Sequence, residues 1–128
     1  MHILNRLIGQ APNPISMRER LRSAGGALLG ISLTGLGGSL VVGFEPSLPA
    51  LIAPMGASAV LLFAVPSSPL AQPWSILGGN ILSATVGVTV AALVPDPALA
   101  SGLAIGIAIA AMMALRCLHP PSGAIALT

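Results

Sequence analysis

Between residues 24 and 115 the chain passes through four apolar stretches with almost no charge in them, separated by three proline-containing breaks. About 20 apolar residues are what a helix needs to cross the hydrocarbon core of a bilayer. Lipid admits only structures that satisfy every backbone amide internally. No other feature narrows the fold as much, and it selects an all-α bundle of transmembrane helices. Composition agrees: 55% of the 128 residues are hydrophobic and 6% are charged, whereas about a quarter of a soluble domain is Asp, Glu, Lys or Arg.

The runs cover roughly residues 24–43, 50–65, 74–94 and 98–115, and the second is short for a span. The breaks are "FEPSLP" at 44–49, "PSSPLAQP" at 66–73 and "PDP" at 95–97. Prolines there remove donors and fix backbone angles, so no helix continues through. Four of the five cations, Arg6, Arg18, Arg20 and Arg22, precede the first run. They read as a topology signal rather than a nucleic-acid-binding face, and they make residues 1–23 a basic cytoplasmic segment ahead of a transmembrane domain at 24–128. A signal peptide is the weaker reading, because the first run is long and glycine-rich and no clear cleavage site follows. Four alternating crossings leave Glu45 and Asp96 outside and return Arg116 to the inside, in agreement with the amino-terminal arginines.

A further apolar segment opens at His119 and has only residues 119–128 in which to run, about half a span. Either it is re-entrant or the chain is a piece of a longer protein, and the second reading is preferred. The expected fold is a polytopic bundle of about four full spans plus the start of a fifth.

Small residues recur at the spacing that lets membrane helices approach closely: Gly26 with Gly30, Gly102 with Gly106, and Gly79, Ser83 and Gly87. The first two pairs are candidate homo-oligomer faces, although ordinary packing within one chain explains such pairs more often. Cys117 stands alone, so no internal disulfide forms, and with His119 it offers only two metal ligands where structural zinc wants four. No metal, cofactor or catalytic constellation is expected, and the chain does not read as an enzyme.

Two stretches begin apolar segments with proline and glycine, "APMGASAVLL" at 53–62 and "HPPSGAIALT" at 119–128. With one residue inserted, Pro54 matches Pro120, and Gly56, Ala57 and Ala59 match Gly123, Ala124 and Ala126. The topology gives them opposite orientations, as an inverted repeat of three plus three helices would. Helix amino termini carry partial positive charge and free amides, which bind small anions. Two such ends meeting near the midplane would form a site reachable from either face. The plain alternative is that both prolines merely start helices at the membrane surface. His119 could add a switchable charge. Asn80, inside the third run, must find a partner and either joins helices or lines a cavity, and Gln72 could line the same path.

The pieces at 53–80 and 118–127 resemble the HPP family of integral membrane proteins, named for the motif that stands here as His119, Pro120 and Pro121. The resemblance covers roughly residues 18–128. It implies a small multi-span membrane protein of the kind found in bacteria and plastids, in some members fused to CBS domains; these 128 residues hold no CBS region. Plant plastid members are associated with nitrite transport, and family proteins typically continue after the HPP helix into one further span. The expectation is thus a transporter or facilitator of a small, nitrite-like anion in a bacterial inner membrane. Its binding set would be Pro54, Gly56, Ala57 and Ser58, with His119, Pro120, Pro121, Ser122, Gly123 and Ala124, and Gln72 and Asn80 along the path. A membrane interaction or regulatory subunit that moves nothing is the alternative from another class.

Overall fold

The computed structural model describes residues 15–43 and 46–127, Leu51 by its backbone alone. Arg6 and Glu45, both used in the topology argument, lie outside the described residues. Helix α1 spans Met17–Val42, α2 Leu48–Ala64, α3 Pro73–Leu93, α4 Pro97–Ala114 and the short α5 Ser122–Ile125; a single 3-10 turn, Pro69–Ala71, sits between α2 and α3. Among the described residues there is no strand.

The first helix starts well before its apolar run. Ser16 caps it by accepting from the Glu19 amide at 3.2 Å, and Glu19 lies in the first turn, where the helix dipole favours an acid. Arg18, Arg20 and Arg22 therefore belong to a helical extension of the first span. Asp96 caps α4 in the same way, accepting from the Leu99 amide at 2.7 Å.

Three helices, α1, α3 and α4, are long and apolar enough to cross a membrane. The sequence reading of four full spans is therefore supported for three. Helix α2 has 17 residues, about 25 Å at 1.5 Å per residue, against a core of about 30 Å. Large apolar side chains point outward, Leu40 and Val41 at 87% and 85% exposure among them, as a lipid-facing surface requires.

The helices pair as two hairpins. In the first, Gly26 and Gly30 of α1 receive the ring of Phe63 from α2, and a Cβ added at Gly26 would stand 2.5 Å from the Phe63 ring. The Ser23 hydroxyl donates to the Phe63 carbonyl at 2.6 Å. That glycine pair is thus occupied within the chain rather than presented to a second copy. In the second hairpin Ala104, Ala108 and Met112 form the buried face of α4. Gly102 and Gly106 have open space above them. The 3-10 turn and α5 each touch both α2 and α3, so the carboxy-terminal segment bridges the hairpins.

A Schellman turn delivers that segment. The Cys117 amide donates to the Met112 carbonyl at 2.9 Å and the Arg116 amide to Met113 at 3.2 Å. Arg116 holds the left-handed position, φ 54°, which glycine usually fills. Cys117 and Met112, both buried, close the turn with apolar contact.

Candidate functional site

His119 is completely buried, at 0% exposure. The residues around it explain how lipid-embedded structure tolerates an imidazole. Pro73 has no amide proton, so the carbonyl of Leu70, three residues earlier in the middle of the 3-10 turn, lacks its local donor. The Nδ1 hydrogen of His119 supplies one at 2.7 Å. Nε2 lies 2.8 Å from the Ser58 hydroxyl of α2. Because a carbonyl only accepts, the neutral ring carries its proton on Nδ1 and Nε2 accepts from Ser58. Ser58 also lies 3.2 Å from the Pro54 carbonyl, a second acceptor for its single hydrogen.

Next to this pair, Ser122, likewise at 0% exposure, donates to the Asn80 side-chain oxygen. Glycine makes the approach possible. A Cβ on Gly79 would lie 2.9 Å from Ser122 Oγ and 3.0 Å from both the Cys117 carbonyl and His119 Cβ. Gly87, two turns on, lies against the Ala126 backbone, where a Cβ would stand 2.5 Å from the carbonyl oxygen. The small-residue stripe of α3 is the track on which the carboxy-terminal segment lies.

Where the two hairpins part, a cavity of about 430 Å³ opens, bordered by Thr34 of α1, Ser58 of α2, Asn80 of α3 and Ile125 of α5 among mainly apolar side chains. Ser122 occupies the Asn80 oxygen, and among the described residues nothing accepts from the Asn80 amide hydrogens. They are available to whatever fills the cavity. No carboxylate borders it, so the polar lining is dominated by donors and hydroxyls.

The structure thus brings together Ser58, Asn80, His119 and Ser122 from the expected set. Pro54 is buried beneath Ser58 and Pro121 is buried beside Ser122. Gln72 stands apart, exposed and donating to the Ser68 carbonyl at 3.2 Å. Ala57, Pro120 and Ala124 are exposed, and open space surrounds Gly56 and Gly123.

The paired helix starts are not present as expected. Pro54 lies inside α2, which already begins at Leu48, so the amides of Gly56, Ala57 and Ser58 belong to a continuing helix. At the other motif, the amides of Ser122, Gly123 and Ala124 donate to the carbonyls of His119, Pro120 and Pro121 at 2.9, 3.0 and 3.1 Å. The two motifs therefore occupy different settings, one in the middle of α2 and one at the turn that opens the four-residue α5. Sequence reasoning missed the Leu70 carbonyl, whose role depends on a tertiary approach, and gave Gly79 and Gly87 only a general packing role.

Buried polar groups held between apolar helices define a polytopic helical membrane protein with an internal polar site. Residues 12–128 match the family described as the HPP transmembrane region, and the chain belongs to that family. It is similar to two transmembrane proteins of Dictyostelium discoideum. One is 47% identical over 81 residues, 60% of this chain and 26% of the relative. The other is 44% identical over 87 residues, 65% of this chain and 30% of the relative. The chain thus spans under a third of the length of these curated relatives. No solved structure matches it.

Proposed function

We propose that this chain forms the substrate-handling core of a transporter or facilitator for a small monovalent anion of nitrite's kind. The observation that carries the reading is the Asn80 amide. It borders a cavity between the hairpins, with its oxygen held by buried Ser122 and its hydrogens unclaimed among the described residues. A donor kept in place by a fully buried partner, in a mainly apolar surrounding, favours binding of an acceptor-rich anion. An ionisable residue fully buried in a membrane helix bundle, here His119, is a candidate for the substrate or proton path. In this reading the anion meets the side-chain donor Asn80 instead of two helix ends. The amino terminus faces the cytoplasm and the membrane is a bacterial inner membrane, both as parts of the proposal.

A non-transporting subunit is favoured by one observation alone, the uncovered Gly102 and Gly106 face. Uptake decides between the two. Nitrite entry into liposomes bearing the full-length protein should exceed that into empty liposomes. Asn80→Leu, which keeps the helix but removes the donor, should lower protein-dependent uptake about tenfold, a loss expected for one anion-binding hydrogen bond. Wild-type uptake no faster than that of empty liposomes would remove nitrite as the substrate.

A further inference from the structure

We infer that His119 carries a proton together with the anion, so that the two move as a pair and transport is electroneutral. The inference rests on the transport reading above and concerns the same site.

The hydrogen bonds around the ring serve both of its protonation states. In the neutral state Nδ1 donates to the Leu70 carbonyl and Nε2 accepts from Ser58. When Nε2 takes up a proton it becomes a donor. Ser58 Oγ then accepts from it and turns its own hydrogen to the Pro54 carbonyl, 3.2 Å away. No heavy atom has to move. A histidine that only filled space would need just the first arrangement.

Ser58 also supplies the route, because it borders the cavity while the ring is closed off from it. A hydronium ion in the cavity gives a proton to Ser58 Oγ as Ser58 passes its own hydrogen to Nε2. The products are an imidazolium and one water molecule, and release reverses the step.

The charged state lacks a protein counter-charge. The elements packed around the ring present Ser58 from α2, Leu70 from the 3-10 turn and Gly79 from α3, none of them titratable. On its own segment the nearest titratable group is the buried Cys117 thiol, packed against Gly78. The charged residues described, Arg18, Glu19, Arg20, Arg22, Asp96 and Arg116, are all exposed, and none bonds the ring. A buried charge without a partner is strongly disfavoured. An anion in the adjoining cavity supplies the partner. By linkage, proton and anion then strengthen each other's binding, and the half-loaded states are the costly ones. That is the condition for cotransport.

The test uses full-length protein in liposomes, with potassium and valinomycin setting the membrane potential, nitrite as the probe and an entrapped dye reporting lumenal pH. Empty liposomes give the passive nitrous acid leak to be subtracted. An anion moving alone changes its accumulation about fiftyfold per 100 mV. The paired mechanism predicts protein-dependent uptake that ignores the potential, acidifies the lumen and, by linkage, rises severalfold as external pH falls. Uptake that follows the potential overturns the pairing and leaves transport standing, whether or not any variant folds. His119→Gln keeps a donor and an acceptor without titrating, and should lose protein-dependent acidification; acidification per nitrite at the wild-type value would remove His119 as the carrier. Absence of protein-dependent uptake at every potential counts against the transport reading itself, and the pairing falls with it.

Discussion

Pro73 determines what Leu70 can offer to His119. By withholding an amide proton at the third position after Leu70, it leaves a carbonyl that only a tertiary partner can satisfy, and the imidazole meets it at 2.7 Å. The other ring nitrogen depends on one hydroxyl. Ser58→Ala would leave Nε2 buried without a partner, a loss of about 1–3 kcal/mol. Ser58→Thr keeps the hydroxyl and places its extra methyl beside the cavity, so it should cost less than about 1 kcal/mol. Denaturation midpoints in detergent compare the two, and equal loss in both would show that the Ser58 to His119 bond contributes nothing to stability. Arg116 is the other residue under local constraint. Its left-handed backbone costs about 1–2 kcal/mol relative to glycine, which the Schellman hydrogen bonds and the buried Cys117 and Met112 hold in place. Neither Leu70 nor Arg116 carries any mark of these roles in sequence, since both roles arise from backbone geometry.

At the scale of elements, glycine spacing was legible but glycine function was not. Three small-residue sets have similar spacing in the sequence, yet α1 uses its pair to receive Phe63, α3 uses its stripe as a track for the carboxy-terminal segment, and the α4 pair is left uncovered. Periodicity identifies a face; what lies opposite it depends on the other helices. The contrast is testable. Gly87→Ala gains about 1 kcal/mol in helix propensity but drives a Cβ to 2.5 Å from the Ala126 carbonyl, and overpacking against backbone costs about 1–3 kcal/mol. It should be destabilising on balance. Gly102→Ala meets nothing within 4 Å and should raise stability by up to about 1 kcal/mol. Thermal unfolding in detergent reads both, and stabilisation by Gly87→Ala would show that the segment does not lie against α3. Helix α2 gives the opposite lesson. Pro54 reads as a helix start by its residue type, but α2 begins at Leu48 and continues through it, because membrane helices accommodate an interior proline when neighbouring groups serve the freed carbonyl.

At the scale of the molecule, the two hairpins fix which ends lie together. Ser23 at the start of α1 bonds Phe63 near the end of α2, and Trp74 at the start of α3 donates to the Leu115 carbonyl after α4 at 3.2 Å. The loop at 65–72, Arg116 and the HPP turn therefore share one face, since His119 bonds Leu70 in that loop. If α2 crosses the bilayer, Ser67→Cys reacts with an impermeant maleimide from the same side as Ser16→Cys, and Pro95→Cys from the opposite side. Ser67→Cys labelled from the side opposite Ser16→Cys would show that the 17-residue helix does not complete a fourth crossing.

The sequence by itself determined that this is an all-helical, multi-pass membrane protein of the HPP family. Hydrophobic run length and proline breaks act locally, and a bilayer leaves no other way to satisfy the backbone. It also singled out Asn80, because a polar side chain inside an apolar run has to be matched by something, and Ser58, His119 and Ser122 through the two proline-and-glycine motifs. Only the tertiary structure decided the matches: the Leu70 carbonyl for His119, Ser122 for Asn80, and a cavity beside both in place of two facing helix ends. Those pairings join residues more than 40 positions apart, at separations set by how two hairpins close on a bridging turn, and no local pattern encodes that distance.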